Sequence, residues 1–329
     1  MSNNLKKMKR RNDTVKPLVS IVIPTHNCLD YLPTAIKSIF AQRINNIEII
    51  IVDDNSNDGT WEWLQALKQN HPQVRPYRLK GVGSARARNF ALKRVKSDLI
   101  AFLDADDYWL KDKLIKQYRF HRDNPKVVLS FTNYHHTTPE KVDLGDCFEY
   151  WPHFNKAVKD DEEFHYLDRP TERIYCENVI GTSCVMIQTK AYKLLGGFDN
   201  KLTSAEDWDL WLRLSKYGKV GFCNDVLMEY LVRPGSKTSN RLRRLDQMKK
   251  IMNRYKHYVR RHNMWTAFQA DGRLEVGYAE YFAEEKQFLR ASWHQMKGFL
   301  YNPSIRNLKA SAAFVVHGIQ QQRNSKETV

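Results

Sequence analysis

Three features that would define a protein class at once are missing from this sequence. It has no apolar run of 18 residues, so we expect no membrane-spanning helix. The opening residues, MSNNLKKMKRRNDTVKP, are basic and polar, and they lack the apolar core of a secretory signal. The five cysteines include no Cys-x-x-Cys pair, which argues against a zinc site or a disulfide framework. We therefore expect a cytoplasmic protein.

The excess positive charge lies at the two ends of the chain. Residues 1–16 hold six Lys/Arg and one acid, and residues 241–329 hold 17 Lys/Arg and seven acids. Residues 17–240 hold 30 bases and 29 acids. A nucleic-acid binder carries its charge on the folded reading surface, so we expect no nucleic-acid partner. The terminal charge favours attraction to an anionic membrane surface, and plain solubility is the alternative.

Hydrophobic periodicity divides the chain into a basic tail (1–16), a central domain (17–240) and a basic helical region (241–329). Apolar, β-branched runs at 18–24, 47–53, 99–103 and 127–134 predict buried strands, with helices between them. This alternation indicates an α/β fold with a mostly parallel sheet that is flanked by helices. Residues 135–178 are less regular and predict a long loop or lid. Residues 241–261 predict a basic amphipathic helix that could face the membrane.

Acidic clusters follow two of the predicted strands, where ligands bind in open α/β sheets. Asp53 and Asp54 end one strand, and Asp104, Asp106 and Asp107 follow another. Two carboxylates separated by one residue can approach one divalent cation, and hard oxygen ligands suit Mg²⁺ or Mn²⁺. The alternative is that Asp106 and Asp107 cap the following helix.

Four blocks, in order, resemble the family 2 glycosyltransferases, which are nucleotide-sugar-dependent enzymes of the GT-A fold. The blocks are VSIVIPTHN, IEIIIVDDNSNDGT, ARNFALKRVKSDLIAFLDADD and LLGGFDNKLTSAEDWDLWLRLSKYG. The resemblance runs from about residue 18 to about residue 238. It implies a GT-A fold with a helical C-terminal extension, a nucleotide-sugar donor and a Mn²⁺ or Mg²⁺ cofactor.

The resemblance implies a nucleoside pocket at the end of the first strand. In relatives the matching residues line this pocket, and here they are Pro24, Thr25, His26 and Asn27. Asp54 would accept a hydrogen bond from the pyrimidine imide, and Asp53 would be its structural neighbour. The alternative for both acids is that they cap the polar turn that follows.

The resemblance also implies a diphosphate and metal site. Asp106 would bind the metal directly, and Asp104 would contact the ribose or a metal-bound water. Arg88 would lie near the diphosphate, with Asn89 bracing its loop. A surface position for Arg88 is the alternative.

On the acceptor side, the resemblance implies that Asp207 is the catalytic base. Glu206 and Trp208 would contribute to the acceptor site, since sugars stack on aromatic faces. The alternatives are a helix-capping role for Asp207 and a core position for Trp208. Trp211 is expected in the core.

The sequence departs from the family pattern at one site position. Many relatives have a YRxHxxS segment whose His can complete the metal site, whereas this chain reads YLVRPGSKT at 230–238. Arg233 cannot bind a cation, but it could meet the diphosphate directly as a bidentate partner. The QxxRW signature of processive synthases is missing, so we expect the transfer of single sugars.

The predicted activity is inverting transfer of one sugar, from a UDP-sugar by default, to a hydroxyl of a glycan or glycolipid. This fits cell-surface polysaccharide or lipopolysaccharide biosynthesis. A metal-dependent phosphohydrolase is one alternative, but its nucleophilic Asp would follow the first strand. A nucleic-acid or anionic-surface binding protein is the other, but acids at the strand ends would repel phosphates.

Overall fold

The computed structural model describes residues 16–303 except 157, 160, 162 and 234–239. The first 15 residues of the basic tail and the apolar stretch at 312–319 lie outside the described residues. The strands are β1 (Val19–Thr25), β2 (Ile47–Asp53), β3 (Val74–Arg78), β4 (Leu99–Phe102), β5 (Tyr108–Trp109), β6 (Val127–Thr137), β7 (Asp143–Asp146), β8 (Phe164–Tyr166), β9 (Val185–Gln188) and β10 (Lys219–Leu231).

The helices flank this sheet and then continue beyond it. They are α1 (Leu32–Phe40), α2 (Thr60–Asn70), α3 (Ser84–Leu92), α4 (Lys113–Asp123), α5 (Cys147–Tyr150), α6 (Pro152–Asn155), α7 (Pro170–Cys176), α8 (Thr189–Leu194), α9 (Glu206–Tyr217), α10 (Arg241–His262), α11 (Met264–Glu284) and α12 (Phe288–Tyr301). The predicted α/β class with a helical C-terminal region is confirmed.

The strands form one mixed sheet in the order β3-β2-β1-β4-β9-β6-β10-β5, with β7 beside β6 and β8 beside β10. The first four strands of this order are mutually parallel, as the alternating pattern predicts. Strand β9 lies antiparallel between β4 and β6, and it separates the parallel half from the second parallel pair, β6 with β10. The antiparallel strands make the sheet mixed.

The register of the parallel half brings the acidic clusters to one edge. Thr25 at the end of β1 pairs with Asp53 at the end of β2. Leu103, directly after β4, donates its backbone N–H to the carbonyl of Val22 in β1. Asp54 and the acids after Leu103 therefore leave the sheet on the same side, as predicted.

Residues 135–178 are more regular than the predicted loop, which was wrong in this respect. They hold the end of β6, then β7, α5, α6, β8 and α7. Phe148 and Phe154 lie with ring centroids 5.9 and 5.8 Å from that of Phe131. Elements of three to seven residues are too short to show a hydrophobic period, and here aromatic packing stabilises them.

Helix α10 packs its apolar side against the rest of the protein. Leu245, Ile251 and Met252 are buried, and so are Tyr255 and Val259. The Tyr255 hydroxyl donates to the carboxylate of Asp209 in α9 at 3.1 Å. The apolar period of 241–261 therefore marks a core-facing side, and attachment of this basic helix to a membrane stays a prediction. Within the described residues, no helix is both long and apolar enough to cross a membrane.

Candidate active site

The predicted nucleoside segment forms the turn after β1. Thr25 is buried and Pro24 is half-buried, whereas His26 and Asn27 are exposed. The His26 ring Nδ1 lies 2.8 Å from the carbonyl oxygen of Asp54. The backbone N–H of Asn27 donates to the Ser56 hydroxyl at 2.9 Å. The turn after β1 and the loop after β2 therefore form one surface, with the imidazole at its exposed side.

Asp54 joins this surface to the loop that leads into α3. Its two carboxylate oxygens accept backbone N–H groups of Val82 at 2.7 Å and Gly83 at 2.6 Å. Gly83 has φ of 87°, a left-handed conformation that favours glycine. Asp53 is fully buried and accepts from the backbone N–H of Ser56, as expected of a structural neighbour. Asp54 thus sets the start of the helix that carries Arg88.

Arg88 bridges the two acidic blocks of the site. Its guanidinium donates to Asp104 Oδ1 at 2.5 Å and to Glu206 Oε1 at 3.3 Å. The residue is only 5% exposed, which excludes a surface position. Burial by itself would lower the pKa of Arg88, but the neighbouring Asp104 and Glu206 carboxylates raise it above its usual value. Arg88 is therefore a permanently charged link between segments 118 residues apart.

Asn89 braces the loop after α8, opposite Arg88. Its side-chain amide donates to the carbonyl of Phe198 at 2.9 Å, and its amide oxygen accepts the Phe198 N–H at 3.0 Å. Gly197 has φ of 74°, and a Cβ there would lie 2.8 Å from this amide oxygen. The Arg88 guanidinium lies 5.5 Å from the Phe198 ring centroid. The loop therefore packs directly against Arg88.

The Asp-x-Asp residues lie in a loop between β4 and β5, and helix α4 begins only at Lys113. They therefore do not cap a helix. Asp107 is buried and accepts from the Ser183 hydroxyl at 2.5 Å and from the Leu231 backbone N–H at 3.2 Å. These bonds give it a structural role. Asp104 and Asp106 are more open, with side chains 30% and 22% exposed.

Arg233 lies against Asp106. Its Nε donates to Asp106 Oδ2 at 2.9 Å, and its Nη2 donates to the Cys28 sulfur at 3.4 Å. Its guanidinium also lies 4.9 Å from the Tyr31 ring centroid. Asp106 raises the pKa of Arg233, although burial by itself would lower it. The residue in the family's His position thus provides a positive charge directly beside the predicted metal ligand.

Asp207 lies in the first turn of α9. Its Oδ2 accepts from the Thr182 hydroxyl at 2.8 Å and its Oδ1 from the Trp208 N–H at 2.8 Å. The N-cap of α9 is Ala205, with φ of 56° and no side-chain cap, so Asp207 is not the capping residue. Burial and the neighbouring Glu206 raise the pKa of Asp207. Such a shift makes a carboxylate a stronger base, as a proton-accepting role requires.

The acceptor assignment of Trp208 needs correction. The residue is 2% exposed, and its indole N–H donates to the Ile174 carbonyl at 2.7 Å. Its ring is part of the core and offers no open face to a sugar. Trp211 is fully buried, as expected. Glu206 is 3% exposed and holds Arg88, while its predicted contact with the acceptor stays a prediction.

Two hydroxyl residues of the site were missed from the sequence. Thr182 and Ser183 form the 3₁₀ turn Thr182–Cys184 before β9. Ser183 accepts the backbone N–H of Asp104 at 2.9 Å and donates to Asp107, while Thr182 donates to Asp207. This turn therefore connects the Asp-x-Asp loop with the candidate base. The only signal was the small polar pair in GTSC, directly before an apolar run.

The carboxylates at this edge offer the type of oxygen ligand that divalent cations prefer. Five carboxylates converge, from Asp104, Asp106, Asp107, Glu206 and Asp207, and two guanidinium groups face them, from Arg88 and Arg233. Burial and the neighbouring carboxylates raise the pKa values of Asp106 and Asp107. Among the described residues, no cluster of three His, Cys, Asp or Glu side chains could bind a metal by itself. A cation here would therefore share Asp104 and Asp106 with ligands from outside the protein.

Known proteins are similar to this chain in sequence. Residues 20–171 match the family model Glycosyl transferase family 2. The chain is 32% identical over 239 residues to UDP-Glc:alpha-D-GlcNAc-diphosphoundecaprenol beta-1,3-glucosyltransferase WfaP of Escherichia coli, covering 71% of this chain and 85% of that protein. It is 33% identical over 231 residues to TuaG of Bacillus subtilis, named for teichuronic acid biosynthesis, covering 69% and 83%.

Solved structures share the fold at lower identity. Mannosyltransferase PcManGT from Pyrobaculum calidifontis, in complex with GDP-Man and Mn²⁺, matches with a TM-score of 0.57 and 17% identity, covering 91% of this chain and 87% of that one. S. aureus TarS 1–349, in complex with UDP-GlcNAc, matches with a TM-score of 0.55 and 17% identity, covering 86% and 88%. The chain belongs to glycosyltransferase family 2 and has the GT-A fold.

Proposed function

We propose that this glycosyltransferase moves one sugar, with inversion, from a UDP-sugar to a hydroxyl of a lipid-linked glycan. The observation that carries the proposal is the pairing of Arg88 with both Asp104 and Glu206. Glu206 directly precedes the predicted base, Asp207, so Arg88 links Asp104, which is predicted to bind the sugar nucleotide, to the residue next to that base. A transferase needs the two together, because donor and acceptor must react in a single encounter.

On the donor side, the exposed His26 ring and the Asp54 loop form the surface where a uracil base would lie. The backbone carbonyl oxygen of Asp54 lies 2.8 Å from the imidazole Nδ1, so the His26 ring and the Asp54 loop lie side by side on this surface. Asp54 also retains lone pairs beyond its two loop hydrogen bonds, and one of these would accept the imide N–H. UDP is the default donor nucleotide on this ground, while dTDP offers the same imide edge.

Asp104 and Asp106 would hold Mn²⁺ or Mg²⁺. When bound, such an ion neutralises charge on the diphosphate leaving group. Arg233 would contribute a second positive charge, because its guanidinium already lies at Asp106 and can donate to phosphate oxygens in a bidentate fashion. The enzyme would therefore depend less on the metal than relatives with His at this position.

On the acceptor side, Asp207 would take the proton of the acceptor hydroxyl as its oxygen bonds to the anomeric carbon. The nucleoside diphosphate leaves with the bonding electron pair from the opposite face. Because the acceptor oxygen attacks once, from the face opposite the leaving group, the anomeric configuration is inverted. The Thr182 hydroxyl fixes the orientation of the Asp207 carboxylate.

The acceptor class follows from the relatives and from the charge. WfaP is named for a diphosphoundecaprenol acceptor and TuaG for teichuronic acid biosynthesis. A lipid-linked acceptor in cell-surface polysaccharide biosynthesis would place the enzyme at the cytoplasmic face of the membrane. The basic region from residue 241 supports peripheral attachment there. We propose residues 17–240 as the catalytic domain.

Nucleotide binding tests the donor proposal. The melting temperature is measured with UDP, dTDP and GDP, each with and without Mn²⁺. We expect UDP to raise it most and Mn²⁺ to add to the effect, because Arg233 and a cation held by the carboxylates would both favour a bound diphosphate. If no nucleoside diphosphate raises the melting temperature at any metal concentration, the donor proposal is wrong.

The variant Asp207→Asn tests the base. The amide keeps the size of the side chain but cannot accept the acceptor proton, so transfer should fall by about 10²–10⁴-fold. UDP affinity should stay within about twofold, since Asp207 does not contact the donor in this proposal. Asp98→Asn is the control, because that carboxylate is 85% exposed and lies at the opposite end of β4. Retained transfer in Asp207→Asn would contradict the assignment.

A further inference from the structure

Helix α12 exposes its large apolar side chains. Leu289, Trp293, Met296 and Leu300 are 54%, 61%, 39% and 70% exposed. Their spacing of four, three and four residues puts them on one side of the helix. We call these four residues the α12 stripe. A contiguous exposed set of this kind on a folded protein marks an interaction surface.

The opposite side of α12 is built from small or polar residues and faces the protein. Ala291, Ser292, Gln295 and Gly298 are buried there against α11. A Cβ on Gly298 would lie 2.8 Å from Val276 Cγ2, so the two helices approach closely. A water-exposed helix normally does the reverse and buries its large apolar residues. The four large apolar side chains of the stripe are therefore mostly exposed, and their burial contributes little to the described fold.

The charge beside the stripe indicates which partner this is. Residues 288–301 contain no Asp or Glu, while Arg290 and Lys297 lie on one flank of the stripe. The Lys297 ammonium lies 5.1 Å from the Trp293 ring centroid. A second copy packed on the stripe would bring Arg290 and Lys297 towards like charges, with no acid in the helix to pair with them. Anionic phosphates pair with both.

We propose that the α12 stripe inserts into the surface of an anionic lipid bilayer, between headgroups and acyl chains. Leucine and tryptophan side chains suit this depth, and the flanking bases meet lipid phosphates. At the start of α11, Trp265 is 70% exposed and contacts Phe268, which stacks on Tyr301 at the end of α12. An exposed aromatic side chain therefore also lies near the C-terminal end of α12.

The same arrangement explains why α10 is not the inserting helix. Its apolar side is buried, and several of its bases pair with acids of this chain. These bases are Arg241, Arg254, Lys256 and Arg260. The proposal refines the peripheral attachment proposed above and does not depend on the donor or on the base.

Vesicle flotation of the full chain tests the proposal. The vesicles are phosphatidylcholine alone, or phosphatidylcholine with phosphatidylglycerol. We expect binding to the anionic vesicles and a loss of about tenfold or more for Leu300→Gln and for Trp293→Gln, since each removes one inserted side chain. Leu194→Gln is the matched control, because Leu194 is 64% exposed on α8, outside the surface. Arg290→Gln with Lys297→Gln should weaken binding to anionic vesicles only.

Three outcomes overturn the proposal. The first is that the intact chain does not float with anionic vesicles. The second is that Leu300→Gln and Leu194→Gln bind vesicles equally. The third is a dimer, measured by light scattering, that the stripe variants dissociate without any change in vesicle binding. The UDP-induced shift in melting temperature is measured for every variant, so that failure of lipid binding is distinguished from failure of the donor proposal.

Discussion

Replacing Arg88 with methionine tests whether one buried guanidinium holds the acidic site together. The substitution keeps much of the aliphatic volume and removes the charge. Asp104 and Glu206 then lose the cation between them, and the Glu206 side chain is only 4% exposed. We expect the folded state to lose stability and the nucleotide site to lose its shape, because the remaining carboxylates repel one another.

The magnitude follows from the burial of the two pairs. Breaking a buried ion pair by removing one partner costs about 3–5 kcal/mol. The Asp104 side chain is 30% exposed, so solvent screens its share and the lower end applies. At about 2.1 cal/mol/K of unfolding entropy per residue, 3 kcal/mol corresponds to roughly 4 °C if the whole chain unfolds in one transition.

Urea unfolding measures this loss, with Arg86→Met as the control. Arg86 is exposed on the same helix, so its replacement should change the free energy of unfolding by no more than about 0.5 kcal/mol. The double variant Arg88→Met with Glu206→Gln should recover about 1–2 kcal/mol of the loss, because the neutral amide no longer needs a cation.

Two results would refute this reasoning. One is an Arg88→Met loss no larger than that of Arg86→Met, which would mean that Arg88 does not compensate buried charge. The other is strict additivity of Arg88→Met and Glu206→Gln. That would mean that the 3.3 Å contact carries no coupling.

Two further predictions concern charges that the structure places unexpectedly. Arg233→Gln should strengthen Mn²⁺ binding in the absence of nucleotide by about tenfold, because it frees the Asp106 carboxylate. It should weaken UDP binding in the absence of metal by about tenfold, because it removes a hydrogen-bond donor to the phosphates. Calorimetry measures both affinities, and an unchanged UDP affinity would contradict the role of Arg233. Lys113 is buried, and burial lowers its pKa from 10.5 to about 7. Wild-type stability should therefore rise with pH between these values, because the unfolded state binds a proton that the folded state does not. Lys113→Met should be more stable, relative to the wild type, at pH 7 than at pH 10, and urea unfolding at both pH values checks the sign.

The sequence predicted the edge of the sheet where the site lies. The apolar runs before Asp54 and Asp104 form β2 and β4, which both lie parallel to β1, and parallel strands end on the same side. The family resemblance implied a structural role for Asp53, and a core position was expected for Trp211. The resemblance failed for Trp208, because a helical residue next to the candidate base can point into the core as readily as into the site.

The sequence by itself determined which residue types meet at this edge, because strand and helix periods act over a few neighbouring residues. Only the tertiary structure decided which of these side chains pair with one another. Arg88 reaches Glu206 across 118 residues, Arg233 reaches Asp106 across 127, and Thr182 reaches Asp207 from a turn with no helical or strand period. The tertiary structure also decided which side of α12 is exposed. The side of the helix with small residues packs against α11, and the large apolar side chains are left exposed. Such pairings depend on packing between distant segments, which local patterns do not encode.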